Sequence, residues 1–176
     1  MPAVFRHSDD VIVVDEEWTE CVKESARREP KRRARLNLHH SEQDSVQEML
    51  IAFCKDSLNA PHRHRGKSES IHVIEGRALV IFFDDCGRVT RRLHLGPSGG
   101  RLPSLYRLAA PTWHTVIPLD DIVVIHETAS GPFSPDNELP PAWVPRDEGS
   151  LRAFISGLRQ DSENLPDVSE QNPATE

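Results

Sequence analysis

Cysteine, tyrosine and long apolar runs are scarce in this sequence, and each scarcity closes off a class of function. Its three cysteines, Cys21, Cys54 and Cys86, are odd in number, far apart and not in a C-x-x-C arrangement. That excludes a disulfide framework and a structural zinc knuckle, and it suits a reducing compartment. Tyr106 is the single tyrosine, and no cysteine is forced beside it, so a thioether Cys–Tyr cofactor is not expected. No stretch approaches the roughly 20 apolar residues of a membrane span, and the first ten residues lack a basic segment followed by an apolar one. The expectation is a soluble, unsecreted, cytoplasmic protein with no membrane partner.

Positive charge is missing from the end of the chain. The formal charge is −7, but Asp161, Glu163, Asp167, Glu170 and Glu176 fall in a last stretch without Lys or Arg. Setting those five aside leaves 23 acidic against 21 basic residues, a nearly neutral body. Such a body argues against a nucleic-acid partner. The acidic residues concentrate again in residues 1–26, which hold seven, and the sign reverses from Arg27 to Arg35, with six basic residues and one acidic. That run reads either as a solvated connection or as an anion-binding lip.

What is present is turn chemistry and histidine. With 14 prolines and 9 glycines in 176 residues, the chain reads as one turn-rich β domain with appendages. Its most informative segment is His62-Arg-His64-Arg-Gly-Lys-Ser-Glu69, followed after six residues by Gly76. Alternate residues of a strand share a face, so His62 and His64 point the same way, and Glu69 can rejoin them after the turn at Gly66. Imidazole with carboxylate suits a borderline divalent ion such as iron, zinc, manganese, nickel or copper, whereas calcium and magnesium prefer oxygen alone. One more ligand would close the site.

The pattern H-x-H-x4-E-x6-G, preceded by Pro61, resembles the first signature motif of the cupin superfamily. That resemblance implies an all-β jelly-roll barrel in which a later strand supplies a further histidine, usually within P-x-G-x-x-H. Ala109-Ala-Pro111-Thr-Trp-His114 is the matching segment. Ala109 and Pro111 replace the usual Pro and Gly, and Pro118 replaces the usual Asn, so the local turn departs from the pattern while His114 keeps the ligand position. The implied metal set is His62, His64, Glu69 and His114 around one divalent ion, with iron, zinc, manganese and nickel the leading candidates.

A wider likeness covers most of residues 30–145. Arg33-Ala-Arg35-Leu-Asn37-Leu-His39, Val73-Ile-Glu-Gly76, Phe83-Asp-Asp-Cys-Gly87-Arg-Val, Thr112-Trp-His-Thr115 and Gly131-Pro-Phe133 are similar to the WbuC-type cupin metalloproteins. That subfamily implies a setting in polysaccharide biosynthesis, a homodimer paired through strand edges, and Glu127 as a pocket residue.

The organisation that follows is an N-terminal arm over 1–30, a barrel over 31–145, a C-terminal helix over 146–160 and an acidic flexible tail over 161–176. Within the arm, Val11–Val14 reads as a short strand and Asp15–Ser25 as a helix burying Trp18, Val22 and Cys21. Residues 46–54 fit both a helical and an alternating pattern, and the cupin likeness selects a strand. Further strands are expected near 71–75, 78–84, 88–95, 104–109, 114–118 and 122–128. The proline-rich segment after Thr128 should wrap the barrel with Phe133 and Trp143 as anchors.

Parity sorts the remaining polar residues. Arg35, Asn37 and His39 share a face that could line the barrel mouth, and Lys67 adds positive charge in the metal loop. Together with Glu127 they are the candidate substrate-binding residues. Arg63 and His72 should face away from the metal, His94 should sit opposite an apolar face, and His7 and His40 should lie at the surface. The leading expectation is a metalloenzyme acting on a small polar, sugar-derived or anionic metabolite. An iron-dependent dioxygenase and a non-catalytic ligand-binding or regulatory cupin remain as alternatives.

Overall fold

The computed structural model describes residues 3–109, 111–134, 138–139 and 141–163. Ten strands follow the first helix or flank it: β1 (Val4–Arg6), α1 (Glu16–Arg28), β2 (Arg33–Asn37), β3 (Val46–Cys54), β4 (Arg63–His64), β5 (Glu69–Glu75), β6 (Ala78–Phe83), β7 (Val89–Leu95), β8 (Leu105–Leu108), β9 (Trp113–Pro118) and β10 (Ile122–Ser130). A short β11 (Glu138–Leu139) and the helix α2 (Glu148–Glu163) complete the described chain.

A six-stranded sheet in the order β1-β2-β3-β10-β5-β8 faces a three-stranded sheet in the order β7-β6-β9, and β4 pairs with β11 beside them. Apart from the parallel β1–β2 pair, every pairing is antiparallel. The result is an all-β jelly roll with a helix on each outer face.

Both sheets are covered on both sides, and that explains the ambiguous pattern in β3. Met49, Ile51 and Phe53 pack into the barrel with Ile71, Val73, Val80, Phe82, Val123 and Ile125. Leu50, Ala52 and Cys54 point the other way, onto Val22 and Ala26 of α1. A strand buried on both faces loses its polar alternation, so its sequence reads as a continuous apolar run. The same holds for β6, whose six residues are all buried, with Leu79 and Ile81 meeting Ile155 and Leu158 of α2.

The first helix begins where its cap dictates. Asp15 accepts a hydrogen bond from the Trp18 amide at 3.0 Å, Glu16 and Glu17 occupy the first turn, and Arg27 and Arg28 the last. This charge order suits the helix dipole. The helix runs three residues beyond the expected end at Ser25, as far as Arg28.

One expected strand does not form. Val11–Val14 is irregular, with Val11 78% and Val13 67% exposed. The free edge of β2 is taken instead by β1, which registers Val4 against Arg35 and Phe5 against Leu36. β-branched composition cannot make a strand where no edge remains to pair with.

Of the two proposed anchors, Trp143 packs between Phe83, Trp113 and Phe154, and Phe133 docks by its amide onto the Glu42 carbonyl at 2.7 Å. The acidic tail expected over 161–176 lies outside the described residues from 164 onward. Residues 161–163 belong to α2. No described helix is long and apolar enough to cross a membrane.

Candidate metal centre

Register places the site before any side chain is considered. One row across the six-stranded sheet runs Asn37–Met49–Glu127–Ile71–Tyr106, and the row two residues along places Glu69 between Ala129 and Leu108. Met49, Ile71 and Tyr106 belong to the barrel interior, so Asn37 and Glu127 share that inner face with Glu69. His126 is on the opposite face, with Nε2 3.4 Å from Glu48 Oε1. His72, its register partner, reaches Ser98 Oγ at 3.3 Å.

The three histidines arrive from two segments stitched together. His62 and His114 form an isolated antiparallel bridge, exchanging backbone hydrogen bonds of 3.0 and 2.9 Å. Two residues on, His64 shares the His62 face, with ring centroids 4.9 Å apart. The nitrogen atoms that His62, His64 and His114 can offer lie within 4.8 Å of one another, close enough to hold a single metal ion.

Glu69, 4% exposed, touches two of the three. Its Oε1 lies 2.9 Å from His114 Nε2 and its Oε2 3.3 Å from His64 Nε2. Behind the rings, His62 Nδ1 meets the Ala60 carbonyl at 3.0 Å and His114 Nδ1 the Thr112 carbonyl at 2.9 Å. A carbonyl at Nδ1 holds a proton there, so the ring coordinates through Nε2 once that nitrogen is bare; in His114 a metal would displace the Nε2 proton now shared with Glu69. The donor set therefore fits a borderline divalent ion.

Several groups that composition could not single out hold this geometry. Thr115 Oγ1 donates to the Asn59 carbonyl at 2.6 Å, Asn59 Nδ2 donates to the Val116 carbonyl at 2.9 Å, and Arg33 grips Asn59 Oδ1 at 2.8 Å. Together they pin the loop that leads into His62. Tyr106 Oη donates to Glu69 Oε1 at 3.1 Å. A lone tyrosine in a short strand carries no motif, and only its parity with Leu108 could have hinted at an inward ring.

The charges follow from burial and contact. Burial drives the His62 imidazole down to about 4, helped by the neighbouring His114 and His64 and opposed by the Ala60 carbonyl and Glu69. Burial alone would raise Glu69, but the hydrogen bonds with His114 and His64 outweigh it and hold the carboxyl well below its usual range. Burial would lower His114, and the same Glu69 contact reverses this and raises it. Tyr106 is pushed well above 10 by burial and by the Glu69 and Glu127 charges. Glu127 rises to about 7, chiefly through burial and then through Glu69, against the pull of His64, His114 and Arg35.

Of the candidate substrate residues, the sheet brings Asn37 and Glu127 into the barrel interior, and Arg35 lies in the neighbouring register row on the same face. Asn37 is 2% exposed and its Oδ1 is buried without a hydrogen-bond partner. His39 is spent differently: its Nδ1 contacts the backbone of Glu48, at 2.9 Å to the carbonyl and 3.1 Å to the amide nitrogen. Lys67 sits 5.5 Å from the centre of the Phe133 ring. Arg63 points away, to Asp85 at 3.0 Å and over the Trp113 ring at 4.2 Å.

The opposed shifts of His62 and Glu127 give a pH prediction for the metal-stripped protein. His62 falls from 6.5 to about 4, so across that window the unfolded chain binds the extra proton and stability rises with pH. Glu127 rises from 4.5 to about 7, so across its window the folded chain binds the extra proton and stability falls as pH rises. The two nearly cancel, and melting temperature should change little between pH of about 4.5 and 6.5. Glu127→Gln removes one side of the balance. Its melting temperature should climb with pH over the same window and exceed that of the wild type at pH 8. Parallel profiles for the two proteins would contradict the placement of Glu127.

Comparison with known proteins supports the fold. A family model described as a domain of unknown function, DUF6016, matches residues 14–95. No curated protein matches the sequence. Among solved structures, a protein from Shewanella oneidensis superposes with a TM-score of 0.53 at 11% identity, over 75% of this chain and 85% of that one. CapF, solved with the inhibitor 3-isopropenyl-tropolone, gives 0.51 at 16% identity over 64% of this chain and 32% of that one. KdgF from Halomonas sp. gives 0.47 at 18% identity over 61% and 86%. The architecture is a double-sheet jelly roll, the fold it shares with these solved structures. Within it, the histidine cluster is a candidate metal site.

Proposed function

We propose that this chain is a metal-dependent cupin that converts a small, polar, anionic metabolite inside the barrel. The observation that carries the reading is the convergence of His62, His64, His114 and Glu69 on an interior that also holds Glu127, Tyr106 and an unpartnered Asn37 oxygen. A divalent ion held by the three histidines and Glu69, whether iron, zinc, manganese or nickel, would supply a Lewis acid for a carbonyl or hydroxyl oxygen.

The chain's own residues define what the metabolite must offer. Asn37 Oδ1 can accept a hydrogen bond from a hydroxyl group. Arg35, two residues from Asn37 on the same face, and Lys67, in the loop between His64 and Glu69, are the cations that would attract a carboxylate or phosphate. Tyr106 keeps its proton on Oη, where it is donated to Glu69, and Glu127, near neutrality, is able to take or return a proton at working pH. A sugar-derived acid or phosphate satisfies these requirements. A place in polysaccharide biosynthesis, a cytoplasmic location and a homodimeric state belong to the same reading through the WbuC-type likeness.

The test is a metabolite screen on iron-loaded and zinc-loaded protein, with and without oxygen. Turnover of a hydroxylated anion by both forms without oxygen is the expected result. Substrate-dependent oxygen uptake by the iron form alone would replace the proposal with a dioxygenase. Tight binding with no turnover under any condition would replace it with a sensor.

A further inference from the structure

Two arginines of the basic run, Arg27 and Arg32, contribute to a different place. They line a cavity of about 490 Å³ together with Lys55, from the turn after β3, and Arg152 and Arg159 of α2. Asp56 and Asp121 are the acidic side chains in the same wall, so cations outnumber carboxylates five to two. The volume falls in the range of small-molecule sites.

The walls are tied to the backbone in a way that fixes the guanidinium groups without using them up. Arg159 Nη2 donates to the Lys55 carbonyl at 2.8 Å, and Arg152 Nη1 to the Asp56 carbonyl at 3.5 Å. Arg32 Nε lies 3.0 Å from both oxygens of Asp56, and its Nη1 donates to the Arg27 carbonyl. Arg152 Nη2 also donates to Glu148 at 2.9 Å, but a guanidinium carries five N–H donors, so each of these forks keeps donors in reserve. Arg159 Nε is buried with no hydrogen-bond partner, so this guanidinium too has a donor that the fold leaves unused.

The site is separate from the barrel centre. Cys54, in its wall, registers with Ile122, whereas Glu127 registers with Met49, five residues along the same strand pair. At ~3.4 Å per residue this is about 17 Å. The lining also limits the ligand. No aromatic side chain is among the lining residues, and Leu58 and Ile155 are its only large aliphatic ones, so there is no platform on which a nucleobase could stack.

We propose that this cavity is a second binding site, for a compact phosphate-bearing polyanion without an aromatic base. Arginine forks match phosphate oxygens in pairs, and several of them converging from separate elements suit more than one phosphoryl group.

Calorimetric titration of the full chain with inorganic pyrophosphate and with a hexose bisphosphate, at constant ionic strength, tests this and separates the free from the sugar-borne anion. Arg27 and Arg152 are exposed, so the double variant Arg27→Gln, Arg152→Gln should fold, as circular dichroism can verify. Saturable binding of at least one probe is expected, weakened about tenfold or more in the double variant and unchanged in His64→Ala. The proposal is overturned by no saturable heat with either probe, by equal affinity in the double variant, by loss of binding in His64→Ala, or by ATP binding more tightly than pyrophosphate.

Discussion

Replacing His64 with alanine is expected to leave a folded protein that no longer retains metal. His64 lies in the two-residue strand β4 with its side chain 15% exposed, outside all three apolar clusters, so truncation removes a ligand with little loss of packing. Its Nε2 is one of the three nitrogens grouped within 4.8 Å and faces Glu69 Oε2. Changes to residues that merely support a metal ligand cost roughly 10- to 100-fold in affinity. Loss of a ligand itself should exceed that, so metal measured after dialysis should fall from about one ion per chain to a small fraction. His72→Ala is the matched control, since His72 lies on β5, the strand that carries Glu69, but faces Ser98. Full metal retention by His64→Ala, or equal loss in His72→Ala, would remove the centre from this position.

The fold was legible wherever one residue type could do only one thing. His62, His64 and Glu69 could be assigned to one face because the strand period is two and a glycine sits in the turn between them. The strand pattern of β3 was obscured for a physical reason: α1 covers its outer face, so burial on both sides erased the alternation. Val11–Val14 shows the reverse failure, because local propensity was right for a strand and the sheet had no edge to offer. Asp15 was different again, a cap whose chemistry is local and could be read directly from the sequence.

At the site, histidine spacing carried most of the information, while the groups that set its electrostatics are scattered. Tyr106 reaches Glu69 across 37 residues of sequence, and Asn59 clamps Val116 across 57. Pairing register, and no sequence signal, makes them neighbours. The basic run illustrates the same limit. Four of its six cations divide among separate tasks: Arg35 borders the barrel interior, Arg33 holds Asn59, and Arg27 and Arg32 line a cavity completed by a helix more than a hundred residues later.

The second large effect concerns Gly76, the glycine that ends the metal motif in the turn between β5 and β6. Gly76 has φ of +73°, and a Cβ built there would lie 2.5 Å from the Ile122 carbonyl oxygen and 3.1 Å from Val123 Cγ2. The left-handed backbone alone costs a non-glycine residue roughly 1–2 kcal/mol. The clash is with main chain of β10, the strand that also carries Glu127, so relief requires moving the sheet and not merely rotating a side chain. Gly76→Ala should therefore destabilise by about 3–5 kcal/mol, a large part of the stability of a domain of this size. Gly66 isolates the backbone cost: its φ is +64°, yet nothing lies within 4 Å of a Cβ built there. Gly66→Ala should cost only about 1–2 kcal/mol, measured for both variants by urea unfolding of metal-stripped protein. Equal unfolding midpoints for the two variants would show that the close approach of β10 to this turn is not what makes glycine necessary there.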